Sequence, residues 1–431
     1  MLPAHNGHQL QLRETDIPSA CRVRIFHAGA VAASQSRADS GIQPSECYRA
    51  HHARDTDRRR LRFPAWSVRP LVRNRHRGGV FHGLLNAKKG RFCEMTKRAL
   101  ITGITGQDGA YLADLLLCKG YEVAGIYRRV STPNFWRLLA LSIKDKVTLY
   151  QADLHDATSM FSVIKAFEPH EIYHLAAQSF VDASFKEPFA TGMVTGLATA
   201  TLLDIIRLTD PGIRFYNAAT SELYGNSLKT DADEDTRFAP DSPYAAAKMY
   251  AFHMVRIYRE AYSMFACSGI LFNHESELRG LEFVTRKVTN AVARISLGMQ
   301  DKVQLGNLDS QRDWGFAPEY VDAMWRMLQH DKPNDYVIAT GETHSVRELC
   351  DHAFNTYGLD YRDFVETSEK YLRPLDVTYL KGKPALAKNE LGWESKTKFR
   401  ELVKIMTETD RERWERQING EIVYWDAINH G

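Results

Sequence analysis

The chain has 431 residues, 44% of them hydrophobic and 25% charged, with a formal net charge of +3. That is room for a large α/β domain plus a smaller lobe, with the ordinary balance of a soluble globular protein rather than a fibrous or disordered one. No run of about 18 apolar residues stands out, so no transmembrane helix is expected, and the six cysteines show neither a CxxC pair nor metal-ligand spacing, which suits a cytoplasmic chain with reduced thiols and no metal.

The charge is unevenly spread. Residues 1–94 carry 17 Lys and Arg against 7 Asp and Glu, which leaves the remainder mildly acidic. The stretch ARDTDRRRLRFPAWSVRPLVRNRHRGGVFHG has no helical or strand period and no usable apolar face. A basic arm for anionic partners and an organellar transit peptide both compete as readings, although Glu14 and Asp16 count against the second. The preferred reading is an extended start. Met95 stands just before the first strand, and residues 1–94 are then disordered or poorly packed. Nothing in the acidic body suggests nucleic acid.

From Thr96 onward, strands and helices alternate. RALIT reads as a short buried strand. Gly103, Gly106 and Gly109 follow as GxxGxxG, then a helix from about Asp108 to Lys119, with Gly120 at its C′ position. EVAGIYR is the second strand. Placed between strand and helix, the glycines become a dinucleotide fingerprint. Thr105, Gln107 and Asp108 share that loop with the helix N-terminus, where a pyrophosphate is expected. The second strand ends on Arg128 and Arg129, where an NAD enzyme usually has an acidic residue. A guanidinium suits a 2′-phosphate, so the expected cofactor is NADP.

KVTLYQADLHD reads as a strand ending at Asp153 and Leu154, against an adenine. HEIYHLAAQS reads as a strand reaching the cofactor at Leu175, Ala177 and Ser179. A helical pattern covers about Ala190 to Leu208. GIRFYNAATSE is a strand whose tip carries Thr220 and Glu222. SPYAAAKMYAFHMVRIYREAYS is a helix carrying Tyr244 and Lys248, and ACSGILFNHES is one more strand. Six or seven such strands predict a Rossmann-type, doubly wound parallel α/β sheet. The expected division is a nucleotide-binding domain over 95–272 and a smaller α/β substrate lobe over 273–431, with some late segments returning to the first domain.

YAAAK places Tyr244 and Lys248 one helical turn apart. An ammonium beside a phenol favours the phenolate and lowers its pKa. Such a tyrosine can take a proton from a sugar hydroxyl while hydride leaves the same carbon. With the fingerprint and the strand-tip hydroxyl, this set resembles the extended short-chain dehydrogenase/reductase family, from Lys97 to about Lys404. Glu222 then separates the reactions within it. Hydride transfer alone needs no second base. Loss of water β to a new ketone needs a carboxylate to remove the acidified C–H proton, with Thr220 holding the keto oxygen.

ALITGITGQDGAYLADLLLCKGYEVAGI, LAAQS, ATSELYG, FNHES, RGLEFVTRK, LGNLDSQRDWG and RPLDV resemble the GDP-mannose 4,6-dehydratase family within that group. The resemblance implies GDP-mannose as substrate, C4 oxidation, elimination across C5–C6 and hydride return to C6. It implies that His274 and Arg279 flank the cofactor. It also implies that Asn273, Lys287, Arg312 and Arg373 hold the GDP, with Ser179 beside the sugar and Asp376 at the ribose. It further implies a homodimer or homotetramer, with RRVSTPNFW as a contact between subunits. Glu277 and Leu278 stand where the family usually has Pro and Arg, so a looser loop is expected before Arg279. Asn217, Ala219 and Asp376 also depart from the usual pattern. An NDP-sugar epimerase or reductase and a non-catalytic nucleotide-sugar-binding regulator are the alternatives.

Overall fold

The structure, a computed structural model, describes residues 96–227, 231–371, 375 and 377–426. The expectation for residues 1–94 lies outside the described residues.

The fold is organised around β1 (Arg98–Thr102), whose RALIT sequence is buried almost throughout. Along it, Ala99 and Ile101 enter one apolar core while Leu100 enters another, as the two-residue period of a strand requires. The first core is completed by α1 (Gln107–Cys118). β2 (Glu122–Tyr127) and β3 (Thr148–Gln151) pair outward on one side of β1. α2 (Ala157–Phe167) covers the second core through Val163 and Ile164. β4 (Glu171–His174) returns to the other side of β1, followed by α3 (Ala198–Thr209), β5 (Arg214–Ala218), α4 (Pro243–Tyr262) and β6 (Ala266–Leu271). Every pairing is parallel. Strand order therefore reverses between β1 and β4, and a crevice opens at the C-terminal ends of those strands.

The region read as one strand, ACSGILFNHES, breaks at Phe272. β6 stays in the main sheet, and β7 (Asn273–Glu275) leaves it to pair with β10 (Trp314–Phe316). Between them in sequence come α5 (Val284–Ser296), β8 (Val303–Leu305) and β9 (Gln311–Arg312). α6 (Ala317–Gln329) packs back on α1, and β11 (Tyr336–Ile338) joins β6 as the seventh strand. β12 (His344–Ser345), α7 (Val346–Asn355), β13 (Val365–Thr367) and α8 (Phe399–Ile418) complete the late segments. These build a separate core from Val292, Leu305, Phe316, Leu349 and Phe399.

The helical run Pro188–Thr209 is long and apolar enough to cross a membrane, but half of its apolar window is buried, and it packs against α4. Its many Ala, Thr and Gly residues conceal that length from a reading that looks for large apolar side chains. Cys267 and Cys350 are free and buried.

Candidate active site

The turn between β1 and α1 is shaped by its glycines. Gly103 has φ +76°, and a Cβ there would lie 2.9 Å from the Ala176 backbone. A Cβ at Gly109 would lie 2.3 Å from Gly103 O. The first glycine thus lets β1 turn against the end of β4, and the third lets α1 close on its own loop. Gly106 starts α1 in an extended conformation, with no side chain bonded to the helix end. The first-turn N–H groups remain available to an anion. The loop fits the pyrophosphate of a dinucleotide.

This turn forms one wall of a cleft of about 1440 Å³. Thr105, Gly106, Gln107 and Asp108 line it, with Arg128 at the end of β2. Asp153 and Leu154 follow β3, and Leu175, Ala177 and Ser179 follow β4. Arg129, the next residue, does not line it. The Asp153 carboxylate accepts the N–H of His155 at 3.1 Å, which fixes the turn after β3.

The four expected catalytic side chains converge on this cleft. β5 ends at Ala218, and Thr220 and Glu222 follow in a tight turn in which Glu222 N–H donates to Thr220 Oγ1 at 3.3 Å. α4 begins beside it because Ser242 caps the helix and Pro243 occupies its first turn. Tyr244 and Lys248 are thereby buried one turn apart. The Thr220 side chain lies close enough to the Tyr244 phenol to favour its ionised form. Lys248 Nζ donates to Ala218 O at 2.6 Å and lies 6.0 Å from the Tyr244 ring centre.

The electrostatics depart from the sequence reading. Burial, with the Glu222 carboxylate adding to it, pushes the Tyr244 phenol up to about 12 rather than down. Burial also lowers Lys248 to about 8, with the negative charge of Asp108 opposing that fall. Lys248 does not bring the phenol down as the spacing suggests, because both groups are withdrawn from water, a fact that residue spacing does not reveal.

β7 crosses the cleft beside α1. His274 Nε2 meets Asp108 Oδ2 at 2.8 Å, and its ring stacks on Tyr320. Burial opposes both charges, yet Asp108 holds the imidazole above its ordinary value and His274 holds the carboxyl below its own. The histidine contribution to stability is therefore complete below about 6.5 and disappears as pH rises through its raised folded pKa. The aspartate contribution is present above about 3.9 and disappears as pH falls through its lowered folded value. We predict that the melting temperature falls on the alkaline side of His274 titration. His274→Gln should remove that limb; an unchanged alkaline limb in a thermal melt series would show that the pair does not set it.

Farther along, Arg279 Nε lies 3.2 Å from Glu275 Oε2 and its guanidinium covers Phe283. Lys287 Nζ sits 3.3 Å above the Tyr371 ring centre. Asn273, Lys287 and Arg312 line the same cleft. Arg373 and Asp376 lie outside the described residues. The loop before Arg279 is not loose. Glu277 and Leu278 are buried, Tyr111 donates to Glu277 Oε1 at 2.6 Å, and Ser276 donates to Gln107 at 2.7 Å. A polar tether replaces the restraint a proline would give.

Sequence reasoning missed Asn290 and Arg294, which line the cleft on α5 together with Lys287. Positions 287, 290 and 294 share one face of a 3.6-residue helix, a signal that was available once a helix was assigned there. Gln178 Oε1, Asn273 Oδ1 and Arg294 Nε are buried without a hydrogen-bond partner among the described residues. Buried polar atoms at a cleft wall are suited to meeting a ligand.

Comparison with known proteins bears on what this cleft does. The family described as GDP-mannose 4,6 dehydratase matches residues 100–406. GDP-mannose 4,6 dehydratase 2 of Caenorhabditis elegans is 50% identical over 340 residues, 73% of this chain and 89% of that one. The human GDP-mannose 4,6 dehydratase is 46% identical over 339 residues, 73% of this chain and 91% of that one. Among solved structures, a dTDP-glucose 4,6-dehydratase from Bacillus anthracis in complex with NAD has a TM-score of 0.65 at 21% identity. It covers 74% of this chain and 98% of its own. A UDP-glucose 4-epimerase from Thermotoga maritima has the same TM-score at 22% identity, covering 73% and 99%. These two share the fold.

Proposed function

The chain belongs to the GDP-mannose 4,6-dehydratase family, and on that footing we propose that it converts GDP-mannose to GDP-4-dehydro-6-deoxy-mannose. The observation that carries this reading is the meeting of a carboxylate, Glu222, with Thr220 and Tyr244 in one cleft at the tip of β5.

A nicotinamide cofactor, when bound, supplies a hydride acceptor, a cationic ring and the stored hydride. Tyr244 takes the proton of the 4-hydroxyl. Its phenol, pushed up to about 12, needs nearby positive charge to ionise; Arg279 acts in that direction, and Lys248, one turn along α4, is assigned the same role. Thr220 holds the oxygen at C4 through both steps. Glu222 removes the C5 proton, acidified by the adjacent ketone, and delivers it to the 6-hydroxyl, which departs as water. Hydride then returns to C6, and the proton that Tyr244 took from the 4-hydroxyl, after exchange with solvent, is replaced at C5. Incubation with GDP-mannose and NADP+ should give a product lighter by one water in mass spectrometry. Unaltered GDP-mannose would end this reading.

Arg128 supports NADP as the cofactor, since a guanidinium can grip a 2′-phosphate by paired hydrogen bonds. Arg128→Asp should weaken NADP+ binding by roughly tenfold or more, the size of one charge-assisted contact, and should spare NAD+. Equal losses for both cofactors in titrations would remove that role. Asn273, Lys287 and Arg312 are assigned to the GDP. A homodimer or homotetramer is proposed from an apolar face on the run Pro188–Thr209 and α4. Phe189 is 81% exposed there, and Leu197, Tyr250 and Ile257 on the same helices are also exposed. A monomer in sedimentation at micromolar concentration would contradict it.

A further inference from the structure

The segment that carries Arg279 into the cleft is stitched along its length to the dinucleotide loop and α1. His274 meets Asp108, Ser276 meets Gln107 and Glu277 meets Tyr111. At the outer end a single guanidinium spans both strands of this seam: Arg137 donates through Nε to Leu278 O at 2.7 Å and through Nη1 to Thr105 O at 3.2 Å. Thr105 belongs to the loop that cradles the pyrophosphate, and Leu278 immediately precedes Arg279. On the far side the fully buried Arg286 donates to Glu277 O at 2.6 Å and to Arg279 O at 2.8 Å. The Arg279 backbone is therefore held from behind by the lobe, while the seam ties the same segment to the cofactor loop. Any shift of one loop must be matched by the other or break buried hydrogen bonds.

We propose that Arg137 and the Tyr111–Glu277 pair are positioning elements that couple the two halves of the cleft, so that a nicotinamide dinucleotide and a guanosine diphosphate strengthen each other's binding. The inference rests on the functional reading above. Neither element reaches the reacting atoms. Arg137 acts by fixing the separation of two carbonyls, a task its planar fork can perform and a lysine ammonium cannot perform in the same way. Tyr111 acts by holding Glu277 against α1. Coupling of this kind is reciprocal: whatever factor NADP+ adds to GDP affinity, GDP must add to NADP+ affinity.

The test is calorimetric titration of the full chain with GDP, with and without saturating NADP+, and the converse titration. The wild type should bind GDP at least about fivefold more tightly when NADP+ is present, the lower end of ordinary coupling. Arg137→Met and, separately, Tyr111→Phe should bring that ratio toward one, while GDP affinity without NADP+ changes less than about threefold. Arg137→Lys should fail to restore it. Tyr111→Phe removes only a hydroxyl and keeps the proposal testable if the arginine variants fold poorly. A ratio of one in the wild type overturns the inference, as does an undiminished ratio in Arg137→Met or Tyr111→Phe. GDP binding with a ratio of one leaves the functional reading standing, whereas no GDP binding under either condition overturns both.

Discussion

Glu222→Gln is expected to slow formation of the dehydrated product by roughly 10²–10⁴, the usual loss for a missing general base. It should nevertheless leave oxidation at C4 working, because that proton goes to Tyr244. The two effects together have a visible signature: reduced cofactor and a 4-keto sugar accumulate, seen as near-ultraviolet absorbance after mixing. The structure adds a further consequence. The Glu222 carboxylate is one of the causes that raise the Tyr244 phenol to about 12. Removing its charge should lower that pKa and move the alkaline dependence of the oxidation step to lower pH. Exchange of solvent deuterium into C5 should fall with product formation. Normal turnover in Glu222→Gln, or a stall before any cofactor is reduced, would assign the elimination to another group.

Tyr244→Phe should fail at the opposite point. The ring still packs, but no phenol remains to accept the 4-hydroxyl proton. Turnover should fall by roughly 10²–10⁴ with no reduced cofactor and no keto sugar. Binding of cofactor and GDP-mannose should change little, since a buried ring of the same shape is kept. Accumulation of reduced cofactor in this variant would show that Tyr244 does not act at C4. Comparing the two variants in one stopped-flow experiment separates the proton steps without reference to absolute rates.

The parts of this site that the sequence made legible are those with a local signature. The glycines of the first turn, the Ser-Pro start of α4 and the Tyr244–Lys248 spacing each carry their geometry within a few residues. Lengths were less legible. KVTLYQADLHD contracts to the four residues Thr148–Gln151, because its tail turns aside to make the Asp153 loop. β11 was invisible, since three residues give no period and only pairing with β6 makes Tyr336–Ile338 a strand. Contacts between distant positions were least legible. Tyr111 and Glu277 stand 166 positions apart, and neither sequence neighbourhood hints at the other. The upward shift of Tyr244 belongs with them, since it follows from burial by several segments at once.

The late arrival of β11 bears on how the chain emerges from a ribosome. β6 is buried along its whole length in the finished sheet, and its outer partner is β11. That partner is synthesised about 65 residues later, which at ordinary rates of elongation is on the order of several seconds. Throughout that interval the nascent sheet can hold β1 to β6 but must leave the row of N–H and C=O groups along β6 open, beside an apolar surface. Such a border invites pairing with a second nascent chain. Chaperone occupancy during translation is expected to peak after Leu271 leaves the exit tunnel and to fall once Ile338 has left it. Ribosome profiling of chaperone-bound chains would locate both points, and uniform occupancy across the interval would show that the border is covered by other means.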